Sequence, residues 1–286
     1  MCGMKFLITK RATGVYSLSV GVSHIFPAAR NCFYIIFNMI IRISKNMRLI
    51  HMTNWFYNSE EKFHMWDPIH LITISLVFGL LFSFYLFRRS LIPYRRVIRI
   101  TVGSLLIMSR ISLDIWYIST GMWDIKSSLP LELCSIASLL CGIMLLTKSR
   151  HLFEVFYFIA IGGAIQAILT PDLYFGFPQY RFIQFFADHS MLILAPLIMI
   201  WLYNYTITLT SVLKAFLTIN AIAAVVFIIN IFISSNYMFL MHKPSSASLL
   251  DLLGPYPYYL LSLEAITLAV FFILYSPFLL KRHFKR

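Results

Sequence analysis

A thiol and an imidazole stand inside two separate apolar segments of this chain. Cys134 follows the letters LPLEL at the start of one long apolar segment, and His189 lies beside Asp188 within another. Polar and reactive groups are costly in lipid, so their presence there points first to function. A thiol near a general base can attack an acyl carbon and form a thioester. Function therefore depends on whether the two segments bring these groups together.

The two groups are predicted to lie at similar depth in a membrane. His189 is about seven residues inside its segment and Cys134 about five inside its own, or roughly 10 Å and 8 Å by helix rise. The match predicts Cys134 as nucleophile and His189 as base. Two structural interpretations stay open: Cys134 as a small buried apolar residue, and His189 as a member of a buried polar network. Asp188 points about 100° away from His189 and is not predicted to orient it.

Further polar residues fall near the same level and are candidates for substrate binding. They are Arg110, Asp114, Gln166, Thr170, Asp172 and Asp188. Arg110 and Asp114 have the i, i+4 spacing of an ion pair within one helix, while the planar guanidinium also suits a phosphate or carboxylate. With Cys134, His189 and Glu132, these residues predict a polar cavity near the outer leaflet. No metal or cofactor is predicted, because the cysteines lack the spacing of a zinc site.

Composition indicates the class of protein. The 286 residues are 59% hydrophobic and only 12% charged, the mean hydropathy is +0.78, and soluble domains carry about 25% charged residues. Apolar runs of about 20 residues repeat along the chain, which predicts an all-α, polytopic membrane protein. The net charge of +13 does not indicate nucleic-acid binding, because Lys and Arg fall in short clusters between apolar runs.

Seven transmembrane helices are predicted, and their ends are accurate to within a few residues. Their ranges are 69–87, 97–118, 129–146, 152–169, 182–203, 212–233 and 258–280. Ser128 is predicted as the N-cap of the third helix, with Pro130 in its first turn. Lys and Arg concentrate in alternate loops and after the last span, which predicts a cytoplasmic C-terminus in a multi-pass protein of the plasma membrane.

The first 46 residues do not fit this pattern. They are basic, and their apolar part, 33–41, is too short to span a bilayer. Two explanations stay open: a signal peptide without a clear cleavage site, or a translation start at Met47 or Met52, which would leave this stretch outside the working protein. Residues 53–286 are predicted to form one membrane domain, and the sequence predicts no oligomeric state.

Several motifs carry a family resemblance. The segments LPLELCS, LLTKSRHLFEVFYFIAIGGAIQAILTPDL, FPQYRFIQFFADHS and NYMFLMHKPSSASLLDLLGPYPYYLLSLE resemble YwaF-like bacterial membrane proteins, which are grouped with the transmembrane protein 164 acyltransferase family. The resemblance covers the chain from about residue 53 to the end. It implies acyl transfer between phospholipids through a cysteine, with Cys134 at the position of the nucleophile and His189 at that of the histidine. More distant androgen-induced relatives hydrolyse fatty acid esters with a threonine and a histidine. Glu132 departs from the family pattern, which has a histidine there.

Two hypotheses of different class follow. In the first, the protein is a lipid acyltransferase, or a lipid ester hydrolase, that acts through an acyl-thioester on Cys134, with membrane lipids as substrates. In the second, it is a non-enzymatic carrier or a lipid- or anion-binding protein, with Arg110 as anchor and His189 as a titrating switch. A scaffold subunit without chemistry is a third interpretation. Acyl label on Cys134 distinguishes the enzyme from the others.

Overall fold

The structure is a computed structural model, and it describes residues 7–10, 16–19, 62–243 and 249–283. The chain divides into two compact units, Met1–Met52 and Thr53–Arg286. In the first unit, strands β1 (Leu7–Lys10) and β2 (Tyr16–Ser19) pair in antiparallel register. The short apolar stretch 33–41 and the two candidate start sites lie outside the described residues.

The described part of the second unit contains seven α-helices, one at each predicted position. They are α1 (Pro68–Phe87), α2 (Arg95–Ser119), α3 (Leu133–Thr147), α4 (Arg150–Leu169), α5 (Tyr180–Trp201), α6 (Leu209–Ile233) and α7 (Tyr258–His283). Short 3-10 turns stand in the connections at Ile92–Tyr94, Tyr237–Phe239 and Leu249–Leu253. The predicted all-helical membrane protein is confirmed.

Five of these helices, α1, α4, α5, α6 and α7, are long and apolar enough to cross a membrane. Helix α2 carries Arg99, Arg110 and Asp114, and α3 has only 15 residues. A bilayer asks for about 20 residues, so α3 is short for a span. The crossing of all seven helices and the cytoplasmic side of the C-terminus stay predictions.

The predicted start of the third helix is wrong. Helix α3 begins at Leu133, with Glu132 at the N-cap, and the preceding residues form turns. Ser128 does not cap α3, because its hydroxyl accepts a hydrogen bond from the backbone N–H of Asp124 at 3.0 Å. Pro130 therefore lies in the connection and not in the first turn. Cys134, as a result, stands in the first turn of α3 and not one or two turns inside it.

Helices α2 to α5 form the packed centre of the bundle, and α1, α6 and α7 lie around them. Half or more of the most apolar window is buried in α4 and α5 (50% and 56%), against 11% in each outer helix. The outer helices instead expose large apolar side chains such as Leu80 and Phe232. Faces of this kind suit contact with lipid, where apolar exposure carries no penalty.

Helices α2 and α3 cross at two glycines. A Cβ atom added to Gly142 would lie 2.6 Å from Cγ1 of Ile107 and 3.0 Å from the carbonyl oxygen of Gly103. A Cβ added to Gly103 would lie 3.0 Å from Cβ of Leu145. Small residues let two backbones approach closely in a membrane protein. The two glycines therefore let α2 and α3 pack directly against each other.

Charged contacts hold the end of the bundle opposite Cys134. Arg99 is buried and donates hydrogen bonds to the carbonyl of Leu146 at 2.8 Å and to the hydroxyl of Tyr203 at 3.2 Å. A cation at the C-terminus of α3 also suits the helix dipole. On α4, Glu154 pairs with Lys214 of α6 at 2.6 Å. The charged side chains at this end therefore have their partners within the protein.

The glycine crossing gives a prediction for stability. We expect Gly142→Val to lower the free energy of unfolding by about 2–3 kcal/mol, because the new side chain overlaps α2. Gly163→Val is the matched control, since nothing lies within 4 Å of a Cβ at that position. Unfolding of both purified variants in detergent measures the difference. Equal losses in the two variants would contradict the close crossing.

Candidate active site

Cys134 is placed by the first turn of α3. Its side chain is half-buried and packs against the apolar core. Glu132, just before it, makes no side-chain cap on α3, and its carboxylate accepts a hydrogen bond from the backbone N–H of Met238 at 3.2 Å. The first N–H groups of a helix have no partner within it. The thiol therefore lies beside backbone donors that side-chain capping does not occupy.

His189 on α5 is buried, and one of its ring nitrogens has a fixed role. Nδ1 lies 2.8 Å from the carbonyl oxygen of Phe185. A carbonyl only accepts hydrogen bonds, so Nδ1 carries the proton and the neutral ring has its lone pair on Nε2. No hydrogen bond to Nε2 is made by any residue that the structure describes. The ring also lies against Phe185, with centroids 4.1 Å apart. The geometry therefore leaves Nε2 of His189 as a hydrogen-bond acceptor.

A second buried histidine, His70 on α1, shows the contrasting arrangement. Its Nδ1 accepts a hydrogen bond from the backbone N–H of Trp66 at 3.1 Å, and its Nε2 donates to the carbonyl of Ile168 at 2.9 Å. Both nitrogens are occupied, and the side chain is fully buried. His70 therefore joins α1 to the end of α4 and has no lone pair for a substrate. Sequence reasoning overlooked it.

Asp188 links the helix of the base to the helix of the nucleophile. Its Oδ2 accepts a hydrogen bond from the hydroxyl of Ser138 on α3. Its Oδ1 is buried and has no partner among the described residues. Ser138 stands four residues after Cys134, on the same face of α3. The carboxylate thus lies about one helical turn from the thiol.

Asp188 and Arg181 are common neighbours of the two candidate catalytic residues. Each interacts electrostatically with Cys134, and each also interacts electrostatically with His189. We call the group of Cys134, Ser138, Arg181, Asp188 and His189 the cysteine site. No hydrogen bond joins the thiol directly to the imidazole within the described part of the chain. Catalytic hydrogen bonds often tighten only when substrate is bound.

Arg181 is a member of the cysteine site that sequence reasoning did not identify. Its guanidinium donates to the amide oxygen of Gln184 at 2.7 Å, and the amide nitrogen of Gln184 donates to the hydroxyl of Ser109 on α2 at 3.0 Å. Arg181, Gln184 and Asp188 have the i, i+3, i+7 spacing of one helix face. That spacing is the signal that could have identified Arg181.

The ion pair that the spacing of Arg110 and Asp114 allows is formed. The guanidinium of Arg110 contacts Asp114 and also donates to the carbonyl of Ser128 at 2.9 Å. A longer contact of 3.5 Å reaches the hydroxyl of Ser135, next to Cys134. Arg110 is therefore occupied in holding the connection before α3. Its Nε is buried and has no hydrogen-bond partner among the described residues.

The other three candidates for substrate binding lie around the end of α4. Gln166 and Asp172 are exposed, and Thr170 is half-buried. The Thr170 hydroxyl donates back to the carbonyl of Gln166 at 3.1 Å, a local contact at the helix end. Asp172 interacts electrostatically with Glu132. The structure therefore relates Asp172 to the start of α3, and it shows only local partners for Thr170.

A tyrosine links the connection between α6 and α7 to the connection between α2 and α3. Tyr237, between α6 and α7, is almost fully buried. Its hydroxyl accepts a hydrogen bond from the N–H of Leu129 at 2.9 Å and donates one to the carbonyl of Ile125 at 2.7 Å. The side-chain oxygen of Asn230 accepts from the Tyr237 N–H at 3.0 Å. The connection before α3 is thus held by Arg110 on α2 and by Tyr237 in the connection after α6.

A cavity of about 300 Å³ opens at the start of α1. It is lined by Lys62, Phe63, His64, Asp67, Ile69, Gly176, Phe177 and Phe182. Neither Cys134 nor His189 belongs to its lining, so it is separate from the cysteine site. Within the described ranges, no group of three or more His, Cys, Asp or Glu residues could hold a metal ion.

Comparison with known proteins gives one match. The sequence profile of the TMEM164 family matches residues 56–275, a stretch that contains the whole cysteine site. No curated protein and no solved structure matches the chain. The predicted resemblance to the transmembrane protein 164 family is confirmed, and assignment to its YwaF-like bacterial branch stays a prediction.

Glu132 gives a prediction for the pH dependence of stability. Burial raises the pKa of its carboxyl to about 7; the Met238 hydrogen bond opposes the increase and Asp172 adds to it. The folded state then binds the proton more tightly than the unfolded chain, so the free energy of unfolding falls as pH rises from about 4.5 to about 7. Glu132→Gln keeps an acceptor for Met238 and removes this loss.

We therefore expect the thermal stability of Glu132→Gln relative to wild type to improve as pH is raised across that window. Melting temperatures in detergent at several pH values measure it. Asp124→Asn, the same chemical change in the exposed connection between α2 and α3, is the control and should follow wild type. A difference between Glu132→Gln and wild type that does not vary with pH would contradict the raised pKa.

Proposed function

The chain belongs to the TMEM164 family, and from this membership and the cysteine site we propose that it is a cysteine-dependent lipid acyltransferase of the cell membrane. One observation supports the chemistry above all others. The half-buried thiol of Cys134 and the His189 ring, whose lone pair is on Nε2, share Asp188 and Arg181 as neighbours. A thiol and an imidazole with common charged neighbours support the assignment of a nucleophile and a base to one site.

In the first half of the proposed reaction, Cys134 takes an acyl group from a lipid ester. His189 Nε2 accepts the thiol proton as sulfur attacks the acyl carbon. The bond between the acyl carbon and the ester oxygen then breaks, and the leaving alkoxide takes the proton back from the imidazolium. The products are a lysolipid and a thioester on Cys134.

In the second half, an acceptor hydroxyl attacks the thioester and gives its proton to His189. The bond from carbon to sulfur breaks, and the thiolate recovers the proton from the imidazolium. Water in place of the alcohol would give hydrolysis by the same steps. A site within the bundle limits access of water, which favours transfer over hydrolysis.

The negative oxygen that forms in both steps needs hydrogen-bond donors. The N–H groups of the first turn of α3, including that of Cys134, are adjacent to the thiol and have no acceptor earlier in the helix. Donors of this kind stabilise the charge that develops at an acyl oxygen. Ser190 is less suited, because its hydroxyl already donates to the carbonyl of Phe186. Gln166 is exposed at the end of α4.

The proposed location is the plasma membrane, with the cysteine site toward the outer leaflet, as the distribution of basic loops predicts. Lipids of that leaflet would supply both the acyl donor and the acceptor. A carrier anchored by Arg110 receives less support, because Nη2 of that guanidinium already contacts Asp114 and the carbonyl of Ser128, and only Nε has no partner among the described residues.

The assignment of Cys134 and His189 can be tested by trapping the acyl-enzyme. The purified protein in vesicles is supplied with phosphatidylcholine that carries an alkyne-tagged acyl chain. We expect hydroxylamine-sensitive label on wild type and none on Cys134→Ala. In His189→Ala the label should appear about 10²–10⁴-fold more slowly, the usual loss when a general base is removed.

The matched controls are Cys141→Ala and His242→Ala. Cys141 is fully buried two turns further along α3, and His242 is exposed in the connection between α6 and α7. Both should label at close to the wild-type rate. Label that persists in Cys134→Ala, or its absence from wild type with every lipid ester tried, would rule out the thioester mechanism.

A further inference from the structure

Asp188 has one carboxylate oxygen for which no described residue supplies a partner. The residue is only 6% exposed. Ser138 donates to Oδ2, whereas Oδ1 is buried with no hydrogen bond from any described residue. A buried acceptor without a partner costs about 1–3 kcal/mol, and more when it is charged. Such an atom in a native fold calls for an explanation, and a ligand that donates a hydrogen bond is one.

The position of this oxygen favours a substrate as the missing partner. Ser138 places the carboxylate on the face of α3 that also carries Cys134, and Asp188 interacts electrostatically with both Cys134 and His189. Adjacent residues of a helix diverge by about 100°. His189 and Asp188 would therefore approach a molecule between α3 and α5 from two directions.

The attacking hydroxyl of an acyl acceptor cannot fill this role by itself. A hydroxyl has one proton to donate, and in the proposed transfer that proton goes to Nε2 of His189. A carboxylate oxygen only accepts hydrogen bonds, so the partner of Oδ1 must be a second donor on the acceptor. This inference therefore rests on the proposed acyl transfer.

Arg181 decides between two kinds of second donor. The guanidinium interacts electrostatically with both Cys134 and His189, and it donates a hydrogen bond to the neutral amide of Gln184. Within the described part of the chain, no carboxylate forms an ion pair with it. An ammonium group on the acceptor would be repelled by this charge. A neutral hydroxyl would not be, and its hydrogen bond to a charged acceptor is of the stronger kind.

We propose that Asp188 is a positioning residue that binds a second hydroxyl of the acyl acceptor, and that the acceptor is a lipid with hydroxyls on neighbouring carbons, such as a glyceryl lipid. One hydroxyl gives its proton to His189 and attacks the thioester. The other donates a hydrogen bond to Oδ1 of Asp188 and stays chemically unchanged. The bonds formed and broken are those of the transfer itself.

The experiment compares two matched acceptors in vesicles that contain the full chain and labelled phosphatidylcholine. One is 1-O-hexadecylglycerol. The other is 1-O-hexadecyl-1,2-propanediol, which keeps the secondary hydroxyl but has a methyl group in place of the neighbouring hydroxymethyl group. We expect kcat/KM of wild type to favour the glycerol by about 10-fold or more, as for a hydrogen bond to a charged group. In Asp188→Asn the ratio should fall several-fold, whereas Asp124→Asn should keep the wild-type ratio.

Formation of the thioester separates the two proposals. Absence of the thioester in wild type overturns the proposed function, and this inference with it. If the thioester forms and wild type treats the two acceptors alike, the role of Asp188 is overturned and the acyl-enzyme stands. A ratio that is unchanged in Asp188→Asn also overturns it. So does a preference for 1-O-hexadecyl-3-amino-2-propanol over the glycerol, which would mark the oxygen as an ammonium site.

Discussion

The hydrogen bond between Ser138 and Asp188 is the contact on which the arrangement of the cysteine site depends. It joins α3, which carries the thiol, to α5, which carries the imidazole, at a position that is almost fully closed to solvent. Water in the centre of a bilayer is too scarce to solvate a carboxylate, so the protein has to provide its partners. Ser138 supplies one of them. The spacing of α3 and α5 is thereby fixed by a requirement of polar chemistry, in addition to the fit of apolar side chains.

The second constraint is the short length of α3. The helix has 15 residues and begins only one residue before Cys134. The position of Cys134 therefore depends on the connection that precedes the helix. That connection is held by Arg110 through the carbonyl of Ser128 and by the hydroxyl of Tyr237. The thiol lies where this hydrogen-bonded connection meets the rigid helix α3. Groups on rigid elements keep their geometry better than groups on loops, which suits a nucleophile.

The positions of the helices follow from the sequence because five apolar runs have the length that a bilayer demands, and the runs are bounded by charged or turn-forming residues. The start of α3 was wrong for a local reason. Ser128 has the residue type of an N-cap, but its hydroxyl is used by Asp124 and its carbonyl by Arg110. A local turn with Asp124, together with the contact from Arg110 on α2, thus takes the place of the predicted cap.

Other features of the site lay beyond sequence reasoning because their partners come from distant elements. The occupied nitrogens of His70 depend on Trp66 and Ile168, and the link from Gln184 to Ser109 joins two helices. Depth along a helix can be estimated from residue number, but the direction around the axis relative to a neighbour cannot. Gln166, chosen by depth, is exposed for this reason.

Tyr237 has a consequence for how the cysteine site is covered. One phenol oxygen serves as acceptor for the N–H of Leu129 and as donor to the carbonyl of Ile125, so two backbone groups rely on the same atom. Displacement of the Tyr237 hydroxyl would leave both backbone groups without this partner. The connection between α2 and α3 is thereby tied to the connection between α6 and α7 at one atom, so a separation of the two would break both hydrogen bonds together.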